Sequence, residues 1–206
     1  MSIPEPLIHV VDDDESLRTA LLRLLDAAGF NARGYASVGD FLLQAPPDGP
    51  GCVLLDVQMP GPSGLDLQAA LSRQRNALPV VFLTGHADVA ASVQAMKAGA
   101  VDFLTKPVER EALFDALGRA LARDAAQRAA CAQAEQLRAD FAALTPREQA
   151  VFDRVVNGEL NKQIAAALGI AERTVKMQRK QVMTKLGVSS AAELGRLAER
   201  LRSLPD

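Results

Sequence analysis

Along the N-terminal half of the chain, apolar residues fall into two kinds of segment. Short, nearly unbroken runs occupy Leu7–Val11, residues 52–55, Val80–Thr84 and residues 101–105. Between them lie longer stretches in which Leu, Val or Ala recurs every third or fourth position, as at 15–28, 65–71 and 89–98. The short runs predict buried strands and the longer ones predict amphipathic helices. Asn31–Tyr35 reads as a weaker strand, after which Ser37 caps a short helix carrying Phe41 and Leu42. Gly29 stops the first helix, and Met59-Pro60-Gly61-Pro62-Ser63-Gly64 reads as a loop. A further helix starts at Glu109. Strands that alternate with helices and are apolar along their whole length predict a parallel sheet covered on both faces, here of five β/α units.

The pattern then changes. Residues 118–143 are dominated by Ala, Arg, Gln and Glu, without proline, and predict a helical connector that is either solvated or weakly coiled-coil through Leu117, Leu121, Leu137 and Phe141. Thr145-Pro146-Arg147-Glu148 is a helix start, with a capping hydroxyl, proline in the first turn and an acid three residues after the cap. Gly158, Gly169 and Gly187 punctuate the remaining residues, and Ser189 or Ser190 caps a last helix reaching about Arg202. The tail is therefore a bundle of four short helices.

Composition narrows the class. With 49% apolar residues the chain is ordinary globular protein. It has no apolar run long enough for a membrane span and no signal-peptide pattern at its start. Cys52 and Cys131 are far apart and lack a CxxC partner, which argues against a disulfide scaffold or zinc site and suits a cytoplasmic location. The net charge of −2 conceals an asymmetry: residues 1–139 carry 12 basic and 17 acidic side chains, residues 140–206 carry 11 and 8. The acidic part suits cation chemistry and the basic part a polyanion.

Chemistry-bearing residues gather where the strands end, the usual place for a crevice in an open α/β sheet. Asp12 and Asp13 close the first strand, Asp56 the third and Thr84 the fourth, and Lys106-Pro107 follows the fifth. Converging carboxylates repel unless a cation lies among them, and Mg2+ takes hard oxygen ligands beside phosphate. A carboxylate can also act as a covalent nucleophile, giving an aspartyl phosphate. Asp14 reads as a helix cap, His9 as structural and His86 as a loop residue. The elements Val10-Val11-Asp12-Asp13, Leu55-Asp56-Val57-Gln58-Met59-Pro60, Leu83-Thr84-Gly85-His86 and Thr105-Lys106-Pro107 together resemble the receiver domain of response regulators, over about residues 5–125. The resemblance implies a doubly wound, five-stranded, flavodoxin-like (CheY-like) sheet. It implies Asp56 as phosphoacceptor from a phosphohistidine of a sensor histidine kinase, with Mg2+ held by Asp13, Asp56 and the Gln58 carbonyl and by Asp12 mainly through water. It further implies Thr84 and Phe103 as a switch pair, Lys106 as the phosphoryl partner, and a cis Lys106–Pro107 bond.

In the tail, Glu172 to Leu186 holds five basic residues against one acidic, with Val175, Val182 and Leu186 on an apolar face. Leu144-Thr145-Pro146-Arg147-Glu148, Asn161-Lys162-Gln163-Ile164-Ala165, Thr174-Val175-Lys176 and Lys185-Leu186-Gly187-Val188 resemble the LuxR-type helix-turn-helix domain. The whole chain thus resembles the NarL/FixJ family, with a receiver at 1–123, a helical linker at 124–139 and the DNA-binding domain at 140–206. By that resemblance Lys176, Met177 and Lys180 face base edges. Arg173, Thr174, Arg179, Lys185, Asn161 and Lys162 are candidates for phosphate contact. The last helix, around 192–201, supplies a DNA-bound dimer contact, and RNA polymerase is a further expected partner. Gln178 stands where the family usually has histidine; glutamine can pair with adenine or with phosphate, which leaves the site preference open but not DNA binding itself.

The function implied is a transcriptional regulator switched by phosphorylation, through dimerisation and promoter binding, and not a turnover enzyme. The main alternative is an Mg2+-dependent aspartyl-phosphate phosphatase, which needs an acid two residues after its nucleophile; here that position is Gln58.

Overall fold

The short apolar runs become strands of one parallel sheet, and those at its centre are buried on both faces. The computed structural model describes residues 5–44, 49–73, 77–85 and 89–204. Strands β1 (Leu7–Val11), β2 (Asn31–Tyr35), β3 (Gly51–Asp56), β4 (Val80–Thr84) and β5 (Asp102–Thr105) pair in the order β2-β1-β3-β4-β5. Every pairing is parallel. All residues of β3 and β4 are buried, whereas the edge strands β2 and β5 are half-exposed, which explains the weaker sequence signal of β2.

Helices α1 (Glu15–Ala27), α2 (Val38–Gln44), α3 (Gly64–Leu71), α4 (Val89–Lys97) and α5 (Arg110–Ala142) complete the doubly wound arrangement. Alternation along the strands feeds two cores. Cys52 and Leu54 of β3 pack with Leu21 and Leu25 of α1 and with Leu113 and Leu117 of α5. Val53 and Leu55 pack on the other face with Phe41 of α2, Leu67 of α3 and Ala95 of α4. Asp14 caps α1, accepting from the backbone N–H groups of Ser16 and Leu17. His9 is structural, as expected: its Nδ1 lies 3.0 Å from the Tyr35 hydroxyl, its ring stacks on Tyr35, and burial holds its pKa down at about 4. His86 lies outside the described residues.

Helix α5 continues unbroken from Arg110 to Ala142, so the connector is helical. Contacts divide the chain into two compact units, 1–128 and 129–206. In the first unit the later turns of α5 are tied to the start of β3. Buried Asp124 accepts from the Gly51 N–H (3.0 Å) and pairs with Arg128 (2.9 Å), whose guanidinium also donates to the Gly49 carbonyl.

The second unit contains α6 (Pro146–Val156), α7 (Asn161–Leu168), α8 (Glu172–Lys185) and α9 (Ala191–Ser203). Its core joins Val151, Phe152 and Val155 of α6, Ile164 of α7, Val175 and Val182 of α8, and Leu194 of α9. Thr145 and Glu148 form the capping box that starts α6. Gly158, Gly169 and Gly187, each at positive φ, fall directly after α6, α7 and α8 or within a residue or two of their ends. Ser190, one of the two expected serines, caps α9.

Candidate functional site

The register of the sheet sets the site. Val11 lies opposite Leu55, Asp56 opposite Leu83 and Thr84 opposite Thr105, so Asp12, Asp56, Thr84 and Lys106 emerge along one edge. Carboxylate oxygens of Asp12, Asp13 and Asp56 lie within 4.8 Å of one another. Asp12 and Asp56 are buried, and Asp13 is exposed. The Lys106 Nζ bridges the two buried acids, 2.8 Å from Asp12 Oδ2 and 2.9 Å from Asp56 Oδ2. Backbone N–H groups fix the remaining oxygens, Asp14 donating to Asp12 Oδ1 (2.9 Å) and Gln58 to Asp56 Oδ1 (3.3 Å). The Lys106–Pro107 bond is cis, and the Lys106 N–H donates to the Thr84 carbonyl at 2.6 Å.

These contacts set the charge states. Burial raises the pKa of Asp56, and the nearby Asp12 charge adds to this; together they outweigh the Lys106 ammonium. Burial alone would lower Lys106, but its hydrogen bonds to Asp12 and Asp56 and their charges carry it above the usual lysine value. The ammonium therefore stays charged at neutral pH. Three acids with one lysine leave a surplus of negative charge among hard oxygen donors, which fits Mg2+ as the ion such a site would take.

Thr84 is buried at the end of β4, and Phe103 on β5 is half-buried, its ring centroid 6.0 Å from that of Phe82. Two contributors were not foreseen. Arg18, one turn into α1, donates to the Asp12 carbonyl at 2.6 Å; its stem crosses Gly34, where a Cβ would stand 3.2 Å from it. The signal was its position four residues after the capping Asp14. Gly64 is the other: a Cβ there would lie 2.3 Å from the Asp56 carbonyl oxygen, so only glycine lets α3 begin so close to β3.

In the second unit α8 buries Val175, Gln178 and Val182 and exposes Arg173, Lys176, Met177 and Lys180. Asn161, Lys176, Arg179 and Lys180 line one concavity of about 370 Å3, where Arg179 donates to Asn161 Oδ1 at 3.1 Å. Lys162 is exposed on α7, and Thr174 is half-buried. Lys185 is placed differently. Its ammonium is 2.7 Å from Glu148 and 3.3 Å from the Ala143 carbonyl, and its hydrogen bond draws the Glu148 pKa down. Gln178 is only 8% exposed and lies on the packed face of α8, with its Oε1 buried and without a partner. The i, i+3 and i+4 spacing of Val175, Gln178 and Val182 carried that information.

Comparison with known proteins agrees with both halves. Residues 8–118 match the response regulator receiver domain, and residues 142–198 match the luxR family of bacterial regulatory proteins. Nodulation protein W of Bradyrhizobium diazoefficiens is 44% identical over 195 residues, covering 95% of this chain and 86% of that protein. Transcriptional regulatory protein FixJ of the same species is 40% identical over 199 residues, covering 97% of each. The solved structure of response regulator StyR superposes with a TM-score of 0.85 at 45% identity, covering 95% of this chain and 99% of that one. With a parallel sheet carrying an acidic edge and a helical luxR-type unit after it, the chain belongs to the NarL/FixJ family of two-component transcriptional response regulators.

Proposed function

We propose that Asp56 accepts a phosphoryl group from a phosphohistidine of a sensor histidine kinase and that this event controls DNA binding by α8. The observation that carries the reading is the Lys106 bridge between Asp12 and Asp56 at the carboxyl edge of the sheet. An Asp56 carboxylate oxygen attacks phosphorus, the P–N bond breaks, and the histidine nitrogen keeps the electron pair. Asp12, Asp13, Asp56 and the Gln58 carbonyl would hold Mg2+, which supplies charge neutralisation at the phosphoryl oxygens. Lys106, already beside Asp56, stays with the new anion and offsets its charge. Thr84 donates its hydroxyl to a phosphoryl oxygen, and the half-buried Phe103 ring turns inward behind it. Gln58 lacks the acid/base function a phosphatase would need, so the acyl phosphate serves as a signal and not as a turnover intermediate.

The output is dimerisation and binding to a two-half-site operator in the cytoplasm, with RNA polymerase as a downstream partner. Lys176, Met177 and Lys180, exposed on α8, read base edges; Arg173, Thr174, Arg179, Asn161 and Lys162 hold phosphates. Lys185 we assign to holding α6 against α8, because its charge is spent on Glu148. The test is Asp56→Asn. It should abolish transfer of labelled phosphate from the kinase and the phosphorylation-dependent gain in operator binding; if both persist, the scheme fails.

A further inference from the structure

The turn from Asp12 to Asp14 carries two of the three acids at the sheet edge, and hydrogen bonds hold its backbone from several sides. The Asp12 N–H donates to the Tyr35 carbonyl at the end of β2 (3.2 Å), and the Asp14 N–H donates to Asp12 Oδ1 (2.9 Å). A further bond comes from a side chain, Arg18 Nη1 donating to the Asp12 carbonyl at 2.6 Å. That carbonyl belongs to the planar peptide joining Asp12 to Asp13, so the guanidinium fixes the plane from which Asp13 projects. Asp13 depends on this more than its neighbours do: it is exposed, whereas Asp12 and Asp56 are buried and share the Lys106 ammonium. The helix geometry places Arg18 for the task. Side chains of an α-helix lean toward its N-terminus, so a long one at the fourth position of α1 reaches back over the turn that precedes it. Its stem passes over Gly34 of β2, where a Cβ would stand 3.2 Å from both Arg18 Cγ and Cδ. Gly34 is not at positive φ, so what its missing side chain supplies is space.

We propose that Arg18 is a positioning residue for the divalent cation: by holding the Asp12–Asp13 peptide it strengthens Mg2+ binding at the acidic edge, and Gly34 leaves the passage its stem needs. The inference rests on the reading that Asp12, Asp13 and Asp56 hold Mg2+, and adds to it the group that orients the exposed ligand. A cation beside a cation site has two opposed effects. Its charge repels the incoming ion, and its hydrogen bond keeps the ligand-bearing peptide in place. The bond is short, charge-assisted and partly buried, which favours the second effect. Groups that orient metal ligands from outside typically change affinity by about 10- to 100-fold when removed.

The experiment is a calorimetric titration of the full, unphosphorylated chain with Mg2+, repeated for Arg18→Met and Gly34→Ala. Arg18→Met keeps most of the stem and removes both charge and donors. Lost positioning should weaken Mg2+ about tenfold, whereas lost charge alone would tighten it, so the sign of the change decides. With acetyl phosphate as donor, Arg18→Met should reach the wild-type rate of Asp56 phosphorylation at saturating Mg2+ while needing about tenfold more of the ion. A merely structural defect would not produce that split. Gly34→Ala leaves the Arg18 charge in place but crowds its stem, and should weaken Mg2+ in the same direction. Unchanged or tighter Mg2+ binding by Arg18→Met, or by Gly34→Ala where Arg18→Met does not fold, overturns the proposal while the wild-type chain still binds the ion. A wild-type chain that binds no Mg2+ overturns the metal reading beneath it as well.

Discussion

Two buried polar side chains, Gln178 and His9, have opposite fates. Gln178 is enclosed on the packed face of α8 with an acceptor that nothing satisfies. An unmade hydrogen bond of that kind costs on the order of 1–3 kcal/mol, and an apolar side chain of similar volume removes the cost. Gln178→Leu should therefore raise the stability of the second unit by about 1 kcal/mol in urea unfolding, with operator preference unchanged. A changed preference would return Gln178 to the DNA interface. His9, by contrast, is satisfied by Tyr35 while neutral, and burial keeps it neutral down to about pH 4. In the unfolded chain it titrates near the ordinary value of about 6.5. Between those values the unfolded chain binds the extra proton, so stability is fully present above the upper value and is lost as pH falls toward the lower one. This group should make the first unit about 2 kcal/mol less stable at pH 5 than at pH 7. His9→Phe should flatten that part of the profile; an unchanged slope would assign it to other groups.

At the scale of elements, what could be read in advance was what is encoded locally. Asp14, Ser37, Thr145–Glu148 and Ser190 each mark a helix start through contacts spanning no more than three or four residues, and the observed ends depart from the expected ones by about one residue. The acidic edge was legible for a related reason: in a parallel sheet every strand end faces the same crevice, so residues distant in sequence meet without any fine geometry. The hidden contacts depend on long-range packing. Nothing near Lys185 in sequence announces Glu148 as its partner, and nothing near Arg18 announces the gap over Gly34. Glycines separate the two kinds of information. Gly64 begins α3 against the Asp56 carbonyl, and backbone cannot retreat as a side chain can, so Gly64→Ala should cost about 2 kcal/mol and disturb the acidic edge. Gly118, within α5, meets nothing within 4 Å, so Gly118→Ala should instead stabilise by roughly 0.5–1 kcal/mol. Thermal unfolding of the two variants side by side checks both signs, and equal effects would contradict the close approach at Gly64.

For the whole molecule, charge is divided so that each unit faces a different partner. The excess of basic over acidic residues in 140–206 gathers on α8 and the start of α7, where Lys162, Arg173, Lys176 and Lys180 are exposed. Each phosphate neutralised releases condensed counterions, so the logarithm of the binding constant falls against the logarithm of salt with a slope of about −0.9 per contact. This separates a lysine that touches DNA from one that holds the fold. On the proposed reading, in which Lys162 holds one phosphate in each protomer of a DNA-bound dimer, Lys162→Ala should make the slope shallower by about 2 with the unfolding midpoint unchanged. Lys185→Ala should do the reverse. It leaves the nearly buried Glu148 without its cation, so the second unit should unfold at lower denaturant while the salt slope stays put. Both quantities are needed because affinity alone falls in either case, once by a lost contact and once by a smaller folded fraction. If Lys185→Ala flattens the slope and leaves the midpoint alone, its ammonium leaves Glu148 for a phosphate on binding, and the structural assignment is wrong.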